Sequence, residues 1–413
     1  MQQLKINKNY LLLKNWWENL DLSNYEKSLF NREIISFNQQ LVRLKEKKIR
    51  IGAYGKSGVG KSSVLNSLLK KDIFKTDIIN GSTREIQTEE WVFKEQSLNS
   101  IELLDFPGFD FCNIKFPDKI HSCINHSDLI LFIISGDINR NELREINSLI
   151  KDGKKIIIIL NKIDLFKKNE LKEVIQNIKS KLPKDLNIPI IMNYEIHLRN
   201  YITKTINQDG ELFLTLSSLQ LADKLFLKIK EQRLKRKQKL AQSTIGKFST
   251  IKASAVALNP LILFDIAGSF ALDTALISEL SKIYDLNLKG ESTRKLYKNI
   301  SINNLFLGVT QVGLNTSFNL IKKVILLTAP FTNGLSLLPY GPIAIIQAAI
   351  AVHSTKILGK LAAKELFTRS KVSFIEPSIM IQNITFKEPD IFNHLNIYLS
   401  NRNLNKNFVS FLP

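Results

Sequence analysis

The segment Gly55-Lys56-Ser57-Gly58-Val59-Gly60-Lys61-Ser62 constrains this chain more than any other stretch. It matches the pattern GxxxxGK[ST]. It stands between an apolar strand pattern, Lys48 to Tyr54, and a good helix pattern, Ser62 to Lys70. A loop of this kind requires that strand-to-helix context. Gly58 and Gly60 let the backbone curl until its N–H groups point inward at phosphate oxygens. The following helix adds its positive N-terminal end. Lys61 can bridge two phosphates as a point charge. The Ser62 hydroxyl is a hard oxygen ligand suited to Mg²⁺. Gly55, Lys56, Ser57, Val59 and Ser63 complete the candidate phosphate-binding set.

Strand and helix signals alternate around this loop. Ser100 to Leu104 reads as a strand. Leu129 to Ile134 and Lys155 to Leu160 are largely continuous apolar runs, as in the buried strands of a parallel sheet. Asn169 to Lys181 reads as a helix and Ile188 to Met192 as a last strand. The alternation predicts an α/β fold, a doubly wound sheet with helices on both faces.

Two further motifs sit at strand ends. Asp105-Phe106-Pro107-Gly108 closes the strand after the loop. Its carboxylate could reach Mg²⁺ through water, and the Gly108 N–H could meet a terminal phosphate. Asn161-Lys162-Ile163-Asp164 follows the strand ending at Leu160. A carboxylate at Asp164 can accept two hydrogen bonds from the N1–H and exocyclic amine of guanine, a donor pair that adenine lacks on that edge. The Lys162 stem can lie over the ring, and Asn161 can tie this turn to the phosphate loop.

The order and spacing of the three motifs resemble the P-loop GTPases, especially the Era-like branch, whose members share the DxPG form and a GKSS-type loop. The resemblance covers residues 48 to 193. It implies GTP and GDP as ligands and Mg²⁺ as cofactor. Lys61 and a closing threonine would act on the phosphates, and Ser62, that threonine and Asp105 would serve the metal. Thr83, in Gly81-Ser82-Thr83-Arg84-Glu85, is the candidate threonine, with Thr88 as the alternative. The family's last guanine motif has no visible match, and Met192-Asn193 stands at about its position. Two departures bear on mechanism. Phe109 stands where many GTPases place a water-orienting glutamine, and Gly58 stands where potassium-using members carry asparagine. Hydrolysis is therefore expected to be slow, resting on Mg²⁺, Lys61 and the backbone, or on groups from an activating protein or a second copy of the chain.

The flanks carry less chemistry. Residues 1 to 46 read as helices, with Leu11, Leu12, Leu13, Trp16 and Trp17 clustered on one side and Ile34, Ile35, Phe37, Leu41 and Leu44 near helical spacing, a packing extension on the next domain. From about Leu216 a long helix becomes strongly basic, with Lys228, Lys230, Arg233, Lys235, Arg236, Lys237 and Lys239 opposed only by Glu231. It could be a solvated face, a contact to anionic lipid, or an RNA contact. The absence of interleaved aromatics counts against RNA. After Lys252 the chain turns apolar, with Asn259-Pro260 as a helix start, a helix to Leu288 ended by Gly290, and apolar stretches Ile300 to Ile321 and Val324 to Thr355. The last stretch lacks charged residues and reaches spanning length, but Pro330, Pro339, Gly341 and Pro342 break it. Asp265 and Asp273 lie with Ser269 on one helical face, which suits a bundle or an interface better than a bilayer. This half resembles a hydrophobic helical domain of unknown function that follows GTPase modules in many cyanobacterial proteins and is often regarded as membrane-associated.

The formal net charge of +20 favours anionic partners without choosing among them. Two cysteines, Cys112 and Cys123, point to a reducing compartment. Together with His121 and His126 they fit no familiar zinc spacing and read as structural. The expected organisation is an N-terminal helical extension (1–47), the GTPase domain (48–205), a basic linker helix (206–250), an all-helical hydrophobic domain (251–370) and a tail (371–413). The expected function is a GTP-dependent switch in a bacterial cytoplasm, held at a membrane. The alternatives are an RNA- or ribosome-associated assembly GTPase and a nucleotide-binding scaffold without turnover.

Overall fold

The computed structural model describes residues 2–75, 86–91, 100–110, 123–184, 186–193, 195–258, 266–306 and 340–370, with positions 377, 379–380, 398–400 and 412 of the last segment. The chain divides into two compact units: Met1–Ile229 with Phe374–Lys406, and Lys230–Ser373 with Asn407–Pro413.

The first unit opens with helices α1 (Gln2–Glu18), α2 (Asn24–Leu29) and α3 (Asn31–Glu46). Ser23 starts α2 through a reciprocal capping box with Glu26. Lys47, in the left-handed region, ends α3 and turns the chain into strand β1 (Lys48–Tyr54). Then follow α4 (Lys61–Leu69), β2 (Gln87–Trp91), β3 (Ser100–Asp105), β4 (Leu129–Ile134), α5 (Arg140–Lys151), β5 (Lys155–Leu160), α6 (Lys168–Lys181) and β6 (Ile190–Met192). Helix α7 (Glu195–Leu258) follows.

Among the described residues the strands form one sheet in the order β2-β3-β1-β4-β5-β6, with β2 antiparallel to β3 and the other pairs parallel. One face packs on Val64, Leu65 and Leu68 of α4 and on Leu198, Ile202, Ile206 and Phe213 of α7. The other packs on Ile146, Leu149 and Ile150 of α5 and on Ile178 of α6. Helices on both faces explain why β4 is buried at every position, as its unbroken apolar run predicts. The doubly wound α/β domain expected from the alternation of strand and helix patterns is the observed fold. Its chain order reverses at β1, with β3 on one side and β4 on the other, so the crevice at the carboxyl end of β1 is a topological switch point.

The N-terminal helices pack Leu13, Trp16, Leu20, Phe37, Leu41 and Leu44 against Leu214, Leu219 and Phe226 of α7, whereas Leu11, Leu12 and Ile35, expected in the same clusters, fall on the outer helix faces and are exposed. Beneath that cluster, at the amino ends of β1 and β4, lies a buried polar network. The Arg43 guanidinium donates to the Asp128 carboxylate, which also accepts from the Ser217 hydroxyl and, at 2.7 Å, from the Arg50 N–H. Gln40 donates to Ser218 Oγ at 3.0 Å, and Arg43 to the His126 carbonyl at 2.9 Å. Burial pushes Arg43 below its ordinary value, with Asp128 opposing the shift. Burial, with Lys154 the first of several neighbouring cations, pushes the His126 imidazole down to about 4. His126 thus holds Ser36 Oγ at 2.7 Å as a neutral ring, consistent with a structural part.

In the second unit the later part of α7 packs with α8 (Ile266–Ile283), α9 (Glu291–Phe306) and α10 (Tyr340–Arg369) through Ala241, Ile245, Leu276, Leu280, Leu296, Ala362 and Leu366. Gly359 fits closely there, since a Cβ on it would lie 2.6 Å from Ile245 Cγ1. Asp273 of α8 is paired in the interior with Lys252, at 2.8 and 3.0 Å. That pairing accounts for a carboxylate on an apolar helix.

Several element limits differ from expectation. The long helix begins at Glu195, not near Leu216, because its first turns supply Leu198, Ile202 and Ile206 to the sheet core. The boundary expected at 205/206 therefore falls inside a helix. Helix α8 stops at Ile283 instead of Leu288, because Asp285 and Asn287 take left-handed conformations. The Ser281 hydroxyl then accepts the Leu288 N–H at 3.0 Å. Strand β2 and helix α5 were not expected at all. Asn259, Pro260, Asp265, Cys112, His121 and residues 307–339, with Pro330, Pro339 and most of the two apolar stretches, lie outside the described residues. Among the described residues, no helix is long and apolar enough to cross a membrane.

Candidate functional site

The GKSGVGKS loop leaves the carboxyl end of β1 and turns into α4 at the switch point of the sheet. Gly60 begins the helix at φ +90°, a left-handed conformation that residues with a side chain rarely adopt. A Cβ there would also lie 2.2 Å from Asn161 Nδ2. Lys61 is buried, and its ammonium curls back to donate to the Lys56 carbonyl at 2.9 Å. Ser62 Oγ donates to Asp105 Oδ2 at 2.5 Å. The hydroxyl from the first helical turn and the carboxylate from the end of β3 are thus adjacent, and both are buried. A hydroxyl beside a carboxylate under a cationic loop is a hard-oxygen pair of the kind that suits Mg²⁺.

The third motif closes on the same loop. Asn161 Nδ2 donates to the Val59 carbonyl at 2.8 Å, the tie that the sequence predicts. Asn193 Nδ2 in turn donates to Asn161 Oδ1 at 2.8 Å, while the Asn193 N–H bonds the Leu160 carbonyl at 2.9 Å. The chain from β6 therefore holds the asparagine that holds the phosphate loop. Lys162 takes φ +55°, and Asp164 follows in a 3-10 turn, Ile163–Leu165; both side chains are exposed. An open carboxylate and an open lysine stem beside the loop are available to an incoming ring.

Gly108 packs so tightly on the loop that a Cβ would meet Ser57 Oγ at 2.2 Å and Ser57 N at 2.5 Å. The neighbouring Phe109 N–H bonds the Gly55 carbonyl at 3.3 Å. Its ring is buried against Tyr54 and Phe132, with centroids at 5.9 and 6.5 Å, and so belongs to the core. The structure thus brings together Gly55 to Ser63, Asp105, Gly108, Asn161, Lys162 and Asp164. Thr83 lies outside the described residues, and Thr88 is exposed on β2 opposite Leu104. Sequence reasoning missed Asp110, whose carboxylate accepts the Ser57 N–H at 2.8 Å. Its place two residues after Gly108 is the only signal that could have found it.

This strand-loop-helix cradle, with its two satellite motifs on one six-stranded sheet, defines a P-loop GTPase domain. Residues 50–162 match the family described as 50S ribosome-binding GTPase, and residues 220–385 match a domain of unknown function, DUF697. The chain therefore joins a GTPase domain to a C-terminal DUF697 domain. It is 32% identical over 144 residues to GTPase Der of Deinococcus deserti, covering 32% of this chain and 31% of that protein. It is 29% identical over 187 residues to the tRNA modification GTPase MnmE of Mesoplasma florum, covering 43% and 40%. Among solved structures, Era of Aquifex aeolicus bound to GDP.AlF4- is 25% identical with a TM-score of 0.34, over 38% of this chain and 56% of that one. The chain thus spans 31% to 40% of the length of these two curated relatives.

Proposed function

We propose that the protein is a GTP-binding switch that hydrolyses GTP slowly in the presence of Mg²⁺. The observation that carries this reading is the closure of all three motifs on one loop, through Ser62 to Asp105 and Asn161 to Val59. In this reading the loop amides and Lys61 hold the phosphates. Ser62 and Asp105 (the latter through water) hold the metal, with Thr83 closing on it, and Asp164 selects guanine. Slow turnover follows from Phe109, whose buried ring leaves no side chain of that residue to orient water. Competition binding with GTP, GDP and ATP on the full chain tests the assignment. GTP should displace a labelled guanine nucleotide far better than ATP. Lys61→Ala should weaken binding about tenfold or more by removing a charge-assisted phosphate contact. Single-turnover hydrolysis should run on the order of 10⁻³ per second or below. Equal affinity for ATP and GTP, or an undiminished Lys61→Ala variant, would sink it.

The switch is further read as working against an anionic surface, a membrane. Lys239 and Lys247 are exposed along α7, with Leu240 and Ile251 exposed near them, whereas Lys228 and Lys235, though exposed, are paired with Glu33 and Glu231. Lysines of this kind contribute about 1 kcal/mol each at anionic headgroups, and exposed apolar side chains can seat in the boundary. The second reading, an RNA partner, draws on the similarity to a family of 50S ribosome-binding GTPases and to the tRNA modification GTPase MnmE. Flotation of the full chain with anionic liposomes separates the two. Flotation that resists nuclease supports the membrane. Attachment in cell extracts that nuclease abolishes, without flotation, supports RNA.

A further inference from the structure

Besides the Ser62–Asp105 pair, two bonds among the described residues tie the turn after β3 to the phosphate loop. The Phe109 N–H holds the Gly55 carbonyl at 3.3 Å, and the Ser57 N–H is held by Asp110 Oδ1 at 2.8 Å. The second is unusual in kind. A loop shaped to present N–H groups to phosphate oxygens has one of them taken by the chain's own carboxylate. That carboxylate stands close to where Gly108 faces the loop, since a Cβ on Gly108 would lie 2.6 Å from Asp110 Oδ1 and 2.5 Å from Ser57 N. Ser57 Oγ, at the same spot, is buried and has no hydrogen-bond partner among the described residues. Asp110 itself is exposed. The nearby Glu142 carboxyl is raised by burial, opposed by its hydrogen bond at Asn139 and by Lys56, with Asp137 and Asp110 adding the least.

We propose that Asp110 sets the preference between nucleoside diphosphate and nucleoside triphosphate at this site. The inference rests on the nucleotide-binding reading above. A terminal phosphate meeting Gly108 would bring its negative charge against the Asp110 carboxylate. The Ser57–Asp110 bond must then open before the triphosphate seats. A diphosphate brings no group to that position and leaves the bond closed. Asp110 therefore taxes the triphosphate alone, and its release accompanies the arrival of the terminal phosphate. Because the carboxylate is exposed, the penalty is screened by solvent and salt, and a change of roughly three- to tenfold is the scale expected.

The test is calorimetric titration of the full chain with GDP and with a slowly hydrolysed GTP analogue, both with Mg²⁺. The unmodified protein is compared with Asp110→Ala and Asp110→Asn. Alanine removes both charge and bond; asparagine can keep the bond without the charge. Both variants should bind the triphosphate analogue roughly three- to tenfold more tightly while the GDP constant moves by less than about twofold. High salt should shrink the difference from the unmodified protein. Equal shifts for both nucleotides, an unchanged ratio, or weaker triphosphate binding overturns the proposal. Lost hydrolysis with an unchanged ratio also overturns it, and would make Asp110 a group acting on water. If the unmodified chain binds neither nucleotide, the parent reading fails first, which is a distinguishable result.

Discussion

Asp128→Ala should lower the stability of the first unit by about 3–5 kcal/mol, the cost of leaving a buried charge without its partner. The reason is local. Asp128 is buried and is shared by the Arg43 guanidinium, the Ser217 hydroxyl and the Arg50 N–H. With the carboxylate gone, Arg43 is stranded in an interior where burial already opposes its charge. The measurement is favoured by where the tryptophans fall. All three, Trp16, Trp17 and Trp91, lie in the first unit, so intrinsic fluorescence follows that unit alone. Thermal unfolding read this way should shift down by roughly 10 °C. The double variant Arg43→Met with Asp128→Ala should recover part of the loss, because it removes the stranded charge but not the lost bonds to Ser217 and Arg50. A shift below about 1 kcal/mol would mean that water reaches Arg43, and that the network is not an interior one.

The second large effect concerns base choice. Asp164→Asn should reduce GTP affinity by about a hundredfold or more, from the loss of two charge-assisted hydrogen bonds worth roughly 1.5–3 kcal/mol each. The same change should raise affinity for xanthosine triphosphate, whose carbonyl at the corresponding position can accept from the asparagine amide. Asp164 is exposed in its short turn, so the substitution should leave the thermal transition in place. Parallel loss of both triphosphates would mean that the turn had moved and not that recognition had changed. An unaltered GTP constant would remove Asp164 from the base site.

The phosphate loop was legible because its chemistry is local: the glycines, Lys61 and Ser62 sit within eight consecutive residues, from Gly55 to Ser62. The strands β4 and β5 were legible because burial on both faces demands unbroken apolar runs. Strand β2 was not, because Gln-Thr-Glu-Glu-Trp exposes alternate residues at the sheet edge and buries only Trp91. The start of α7 was hidden for another reason. Leu198, Ile202 and Ile206 are spaced as a helix, but polar residues surround them, and only the sheet beneath explains their spacing. The network around Asp128 could not be read at all. Gln40 and Arg43, neighbours on α3, are far in sequence from His126 and Ser217, and each resembles an ordinary surface residue until the fold buries them together. Asn193 lies between: its position suggested the guanine motif, but its bond to Asn161 needed coordinates.

The way the two units interleave along the chain sets the order in which they can be completed during synthesis. Tyr398 returns to the first unit, where its hydroxyl donates to Asp223 at 3.0 Å and its side chain lies against Gly153. The Leu412 carbonyl returns to the second, accepting from Gln238 at 3.0 Å. A ribosome delivers residues at about 5–20 per second, amino end first. The sheet can therefore assemble long before Tyr398 emerges, yet the face that Tyr398 covers stays open while the whole of 230–373 is being made. Neither unit has all these contacts until the stretch from Tyr398 to Leu412 has emerged. A nascent protein stalled anywhere before that stretch presents two unfinished surfaces, at Asp223 and at Gln238, to whatever chaperone or protease reaches them first.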